Sequence, residues 1–229
     1  MSLTTKIWED GIGTKSASLS KFQYRNLIAG HTILGMLVAI LIAYNTQSWD
    51  MSILEIFLVG LGIPILGILI AYRRASTTLV TFFGYMLVVL GMSAIMGPVL
   101  QNFDSEIVLR AFLSTCGIAV LMSIIGLTVK KDLSHWGVYL FGALLALILV
   151  RVIQIFIPQA ASYEKWYFPF IEYAGAALFS LLIIYDWNRG MKMTYNHRNA
   201  ILTAIGLFLD IINLFIHLLR IMAGSFSKD

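Results

Sequence analysis

The stretch LFLDIINLFIHLLR, residues 207–220, decides how this chain is interpreted. Most of its residues suit the interior of a lipid bilayer, but Asp210, Asn213 and His217 interrupt it and Arg220 ends it. Ionisable side chains at membrane depth are costly, and they usually face the interior of a helix bundle or a water-filled cavity. The stretch therefore predicts a membrane-spanning helix that is buried among other helices.

The rest of the 229-residue chain has the composition of a membrane protein, with 59% hydrophobic and 12% charged residues. An average soluble domain carries about twice that share of charge. Segments of roughly 20 apolar residues can cross a bilayer as helices. The chain has seven such segments, at residues 26–47, 51–72, 76–100, 106–129, 134–157, 166–186 and 199–222.

These segments predict an all-α membrane protein with seven transmembrane helices between two tails. The N-terminal tail is residues 1–25, the transmembrane domain is 26–222 and the C-terminal tail is 223–229. Most of the basic residues fall in the N-terminal tail and in the second, fourth and sixth connections. Since basic segments stay in the cytoplasm, the N-terminus is predicted to be cytoplasmic. The C-terminus then lies on the other side, unless the seventh segment re-enters the membrane instead of crossing it.

Two aspartates are placed to meet near the cytoplasmic side. Asp186 ends the sixth segment, and Asp210 lies about 11 residues into the seventh. Antiparallel neighbours with so short a connection would bring the two carboxylates within hydrogen-bonding distance. Carboxylates that close share a proton, which predicts a proton-responsive element. When both are ionised, the pair could instead hold a hard cation such as Ca²⁺.

Four more polar residues are candidates for an ion or proton pathway. Asn213 and His217 follow Asp210 at helical spacing and share its stripe. Glu172 and Arg151 lie in the adjacent sixth and fifth segments with opposite charges, which favours a mutual ion pair. Buried polar residues often serve only to hydrogen-bond helices together, so a purely structural role stays open for all of them.

Enzyme motifs are missing from the sequence. It has no His-Glu-x-x-His, no Gly-x-Ser-x-Gly and no phosphate-binding glycine loop. An intramembrane aspartic protease of the presenilin type would need Gly-x-Gly-Asp, where residues 207–210 are LFLD. We therefore expect no enzymatic activity and no cofactor. The net charge of +4 is explained by topology and does not indicate nucleic-acid binding.

Several segments share the pattern of one family. FSLLIIYDWN (179–188) and LFLDIINLFIHLLRIM (207–222) resemble its sixth and seventh spans, with Phe208 where Tyr is common. Residues 111–134 resemble its fourth span, SAIMGPVL (93–100) the end of its third, and YRR (72–74) its basic turn. Over about residues 20–225 the chain resembles the Bax inhibitor family, the transmembrane Bax-inhibitor-motif proteins.

This resemblance implies seven helices with the seventh surrounded by the other six. It implies a pH-sensitive calcium leak in which Asp186 and Asp210 share a proton and pair with an arginine, here Arg73 or Arg74. Ca²⁺ would be the permeant or bound ion, and the partners would be the lipid bilayer, Ca²⁺ and protons. The compact chain is similar to bacterial members, which implies a bacterial inner membrane, or an ER-type membrane in a eukaryote.

Two other functions stay open. Family members also restrain membrane proteases or modulate stress and cell-death pathways, so the chain could be a cytoprotective scaffold with membrane-protein partners. Its N-terminal tail, with Trp8, Glu9 and Asp10, would then engage a partner. A proton-coupled carrier is the other alternative, although the sequence shows no internal repeat of the kind that many carriers have.

Overall fold

A computed structural model of the protein describes residues 19–73, 76–156 and 164–226. These residues form helices and no strands, and seven helices are long and apolar enough to cross a membrane. The predicted fold class, an all-α membrane protein with seven transmembrane helices, is confirmed. The helices are α1 (Lys21–Thr46), α2 in three consecutive pieces (Ile53–Phe57, Leu58–Gly62, Ile63–Tyr72), α3 (Thr78–Leu100), α4 (Ser105–Thr128), α5 (Gly137–Phe156), α6 (Glu164–Gly190) and α7 (His197–Phe226).

The first helix begins at Lys21, before the predicted start of the apolar segment. Ser20 caps it: its hydroxyl accepts the N–H of Gln23 at 3.2 Å, and the Gln23 side chain accepts the N–H of Ser20 at 3.0 Å. This reciprocal capping box satisfies two backbone donors that a helix start otherwise leaves open. The polar first turn is therefore helical because of its cap, which hydropathy alone does not reveal.

The second helix contains a π-helical stretch, Leu58–Gly62, directly before Pro64. A proline inside a helix lacks the N–H donor and crowds the carbonyl four residues earlier, so the wider turn accommodates it. Small residues then press α2 against α3. A Cβ atom added to Gly84 would lie 2.5 Å from the carbonyl oxygen of Gly67, and the reverse substitution would meet the same limit. Such close helix approach is typical of packing inside membranes.

The seventh helix is the most buried of the seven. In its most apolar stretch 61% of the residues are buried, against 6% in α5. It packs extensively on α1, α3, α4 and α6, whereas α5 lies at the edge and packs on α6. Its single run of 30 residues is long enough to cross a bilayer without re-entering. The ring of six helices around it that the family resemblance implies stays a prediction.

The two ends of the bundle differ in charge. We call the end that carries the connections after α2, α4 and α6 the basic end, and the other the far end.

At the basic end, Asn188 of α6 holds the connection that follows α4. Its amide donates to the carbonyls of Val129 and Lys131 at 2.9 and 3.0 Å, and its oxygen accepts the N–H of Leu133 at 3.1 Å.

Candidate functional site

The two aspartates meet where α6 and α7 approach each other at the basic end. The carboxylate of Asp186 lies against Gly206, so closely that a Cβ atom at this glycine would fall 1.8 Å from Asp186 Oδ2. Asp210 follows Gly206 by four residues, which puts it on the same face about one helical turn further on. The two carboxyl groups are near enough to interact electrostatically. Gly206 therefore makes the space in which Asp186 can stand beside Asp210.

Asp210 has a buried oxygen that no hydrogen bond satisfies. The residue is 7% exposed, and its Oδ2 atom has no hydrogen-bond partner in the described part of the chain. A buried polar atom without a partner costs free energy, and an ionised one costs more. This oxygen is thus the least satisfied acceptor at the site, and a shared proton would satisfy it.

A small cavity of about 10 Å³ opens beside Asp186, roughly the space that one water molecule needs. Tyr72 of α2, Arg189 of α6 and Thr203 of α7 are among its lining residues. The Tyr72 hydroxyl donates to the carbonyl of Leu202 at 3.4 Å, which attaches the end of α2 to the start of α7. Three helices therefore meet at a polar pocket next to the first aspartate.

The arginine predicted to pair with the two aspartates, at the end of α2, is either Arg73 or Arg74. Arg74 lies outside the described residues. Arg73 is exposed and forms no ion pair with Asp186 or Asp210, whereas Arg189, one turn after Asp186 on α6, lies close enough to interact with it. The choice between Arg73 and Arg74 stays a prediction.

A different arginine, which the sequence interpretation missed, ties α7 to this turn. Arg198 donates from Nη2 to the carbonyl of Arg73 and from Nε to the hydroxyl of Ser76, both at 3.2 Å. The Arg73 carbonyl lies just past the last turn of α2, where a cation is favourable. The only sequence signal for this role is a basic residue in the first turn of α7, where the helix dipole disfavours it unless it has a partner.

A second charged cluster lies towards the far end. Glu172 of α6 accepts from Arg151 of α5 at 2.6 Å, so the structure contains the ion pair that their opposite charges suggested. His217 Nδ1 lies 2.6 Å from the other oxygen of Glu172, and Arg220 Nη1 lies 3.5 Å from the first. The sequence placed His217 on the stripe of Asp210, but its contact is with Glu172.

Asn213, between the two clusters, donates to the carbonyl of Leu209 in its own helix at 2.8 Å. It does not bridge Asp210 to His217. The structure thus places Asp186 near Asp210 with no hydrogen bond described between them. It places Arg151, His217 and Arg220 around Glu172 as a separate group.

The described residues contain no group of three or more His, Cys, Asp or Glu side chains that could hold a metal ion. Asp186 and Asp210 alone offer two carboxylates, whereas Ca²⁺ takes six to eight oxygen ligands. If the pair binds Ca²⁺, the remaining ligands must be backbone carbonyls or water.

Comparisons with known proteins agree with the sequence pattern. The family model described as "Inhibitor of apoptosis-promoting Bax1" matches residues 24–228. The chain is similar to the inner membrane protein YbhL of Escherichia coli K12, with 30% identity over 220 residues that cover 88% of this chain and 91% of YbhL. It is also similar to the Golgi anti-apoptotic protein of vaccinia virus strain Lister, with 33% identity over 139 residues, 61% of this chain and 56% of the viral one.

The family match covers most of the chain and both of its charged clusters. The seven apolar helices and the inner-membrane relative agree on a multi-pass membrane protein. With the fold, the family match and the relatives in agreement, the chain belongs to the Bax inhibitor family.

Proposed function

We propose that the protein is a pH-sensitive calcium leak channel whose gate is the aspartate pair, Asp186 and Asp210, latched by Arg73 or Arg74. The observation that carries the proposal is the buried Oδ2 atom of Asp210, which lacks a hydrogen-bond partner in the described residues and has Asp186 as its neighbour. A purely structural aspartate would be expected to use both oxygens in hydrogen bonds between helices.

Protonation would change the energy of this pair substantially. Two negative charges about 5 Å apart repel each other by roughly 3 kcal/mol at an effective dielectric constant near 20. One shared proton removes that repulsion and supplies a donor for Asp210. The loss of the proton instead favours separation of α6 from α7, or neutralisation by an arginine or by Ca²⁺. The pair thus biases two arrangements of the basic end, and pH sets their populations.

The polar cavity beside Asp186 supports a path for the ion at the same end. Tyr72, Arg189 and Thr203 line it, and it has room for about one water molecule. A cavity this small matches a closed state, in which a hydrated cation cannot pass. Opening would require the end of α2 to move away from α7, because Tyr72 and Arg198 hold the two helices together there.

The test is Ca²⁺ entry into dye-loaded proteoliposomes between pH 5 and pH 8. The parent protein should give a flux that changes with pH, and Asp186→Asn and Asp210→Asn should each flatten that change. Glu106→Gln is the matched control, because Glu106 is an exposed carboxylate that pairs only with Arg110 one turn away among the described contacts. The proposal fails if folded parent protein gives no flux above empty liposomes at any pH.

A second candidate function is a cytoprotective scaffold that acts through membrane-protein partners. It draws on the name of one relative, the Golgi anti-apoptotic protein of vaccinia virus. The N-terminal tail with Trp8, Glu9 and Asp10, which was the proposed partner segment, lies outside the described residues. Deletion of residues 1–18 would abolish a scaffold effect on cell survival and leave calcium flux intact, whereas Asp210→Asn would have the opposite pattern.

A further inference from the structure

Glu172 joins three helices through one buried carboxylate. The residue lies on α6 and is 1% exposed. Its Oε1 atom accepts from Arg151 of α5 at 2.6 Å and lies 3.5 Å from Nη1 of Arg220 on α7. Its Oε2 atom lies 2.6 Å from Nδ1 of His217, also on α7. No other carboxylate in the described residues connects three spans.

The imidazole of His217 packs into a recess on the surface of α6. Its ring stacks on Phe179, with ring centroids 5.5 Å apart and planes inclined by 28°. A Cβ atom at Gly175 would fall 2.2 Å from the ring, so only glycine leaves room for it there. Glu172, Gly175 and Phe179 are spaced three and four residues apart, on one face of α6. The whole face is therefore built to hold the ring against the carboxylate.

The contacts of Glu172 affect the position of α5 more than that of any other helix. α5 is the least buried span and packs on α6, while α4, its neighbour in sequence, is not among its substantial contacts. Arg151 lies near the end of α5, at the same end of the bundle as Glu172 and Arg220. The position of this helix end relative to α7 therefore depends on the contacts that Glu172 makes with both.

We propose that Glu172, together with Arg151, His217 and Arg220, is a proton-sensitive latch that closes the far end of the bundle between α5, α6 and α7. It is separate from the aspartate pair at the basic end, and it does not require that the protein conduct Ca²⁺. The latch is held by an ionised carboxylate that faces two arginines and an imidazole. Protonation of Glu172 removes the charge on which all three contacts depend and releases the end of α5.

The charged groups described in contact with this carboxylate come from two helices, α5 and α7. Arg151 comes from α5, and His217 and Arg220 come from α7. On α4, Arg110 is engaged with Glu106. The hydrogen bonds and ion pairs described for α1 and α3 do not reach Glu172 or His217. The latch holds while the Glu172 carboxylate is ionised, and it opens once the pH is low enough to protonate that carboxylate.

The experiment measures the distance between the far ends of α5 and α7 in lipid nanodiscs by electron paramagnetic resonance. Spin labels replace Leu149, which is 60% exposed on α5, and Gly224, where an added side chain meets nothing within 4 Å on α7. The background is Cys116→Ser, which removes the single native cysteine. Distances are compared at pH 7.5 and pH 3.5 for the parent and for Glu172→Gln, with Glu106→Gln as the exposed-carboxylate control.

The parent and the control should show a short distance at pH 7.5 that lengthens at pH 3.5 by about 2 Å or more, the scale of helix shifts in switching proteins. Glu172→Gln should give the long distance at both pH values, and Asp210→Asn should keep the response of the parent. Should Glu172→Gln fail to fold, Arg151→Gln replaces it, because Arg151 is at the partly exposed edge and its loss frees α5 alone. The inference is overturned if folded Glu172→Gln or Arg151→Gln keeps the parent distances, or if Asp210→Asn abolishes the response.

Discussion

Gly206→Ala offers the sharpest test of the packing around the aspartate pair. The added methyl group would lie 1.8 Å from Asp186 Oδ2, whereas ordinary van der Waals contact begins at 3.4 Å. Either the carboxylate or the whole of α6 must therefore move by about 1.6 Å. Forcing an extra methyl group into a packed interface typically costs about 1–3 kcal/mol.

The same displacement weakens the interaction between the two carboxylates. For two negative charges about 5 Å apart, an increase of this size lowers their repulsion at a dielectric constant near 20 by roughly 0.8 kcal/mol. Because about 1.4 kcal/mol corresponds to one pH unit, the midpoint of the pH-dependent flux should move by about half a unit towards lower pH. The melting temperature of the purified protein should fall by about 2–4 °C for each kcal/mol lost.

The assay is calcium flux against pH in proteoliposomes, together with thermal unfolding in detergent. Gly142→Ala is the matched control, because a Cβ atom there meets nothing within 4 Å and the change only replaces one helix glycine by alanine. The control should keep the flux midpoint and the stability of the parent. If Gly206→Ala also keeps both, then Asp186 does not depend on Gly206 for its position and the reasoning is refuted.

Three further predictions concern the basic end. Arg198→Ala removes the two hydrogen bonds to the turn after α2 and should cost about 1–2 kcal/mol in thermal unfolding, and Arg198→Lys should recover only part of this because it cannot make both bonds. Tyr72→Phe loses one long hydrogen bond of 3.4 Å and should cost less than about 1 kcal/mol, while a loss of stability as large as that of Arg198→Ala would show that the hydroxyl does more than this contact explains. The hydroxyl and the N–H of Ser134 donate to Asp132 and hold the pKa of its carboxyl below its usual range. Whatever stability Asp132 contributes is present above its unfolded pKa of about 3.9 and is lost only as the pH falls through the lower folded value, so Asp132→Asn should leave the flux midpoint between pH 5 and pH 8 unchanged.

Hydropathy was enough to predict the seven spans, because a bilayer demands long apolar helices and tolerates few other solutions. Charge and antiparallel order also pointed to the neighbouring aspartates and to the ion pair of Arg151 with Glu172. The partner of His217 could not be found this way. Helical periodicity tells which face of α7 His217 occupies, but the residue opposite it depends on how α6 crosses α7. That crossing is set by Gly175, Gly190 and Gly206, whose Cβ positions would be filled by side chains of α7 or α6.

The start of α1 and the role of Arg198 escaped sequence analysis for a related reason. Ser20 and Gln23 form a capping box at a polar site where hydropathy has no signal, although the pattern Ser-x-x-Gln is itself a recognised start of a helix. Arg198 acts on a backbone carbonyl and a hydroxyl that are more than 120 residues away in sequence. Contacts of this kind depend on the tertiary arrangement, and their only local trace is the basic residue in the first turn of α7.

The polar residues of α7 belong to two separate clusters, and this limits how an ion or a proton could cross the helix bundle. Asp210 and His217 are seven residues apart, roughly 10 Å along the helix, and Asn213 between them is bonded to its own backbone. Along α7, the described hydrogen bonds therefore do not link the aspartate pair to the Glu172 cluster. An ion or a proton that crosses the protein therefore needs water molecules along its path, and these can enter only when helices move. Since α7 carries both clusters and is the most buried helix, a shift of α7 against α6 is the movement that would alter both ends at once.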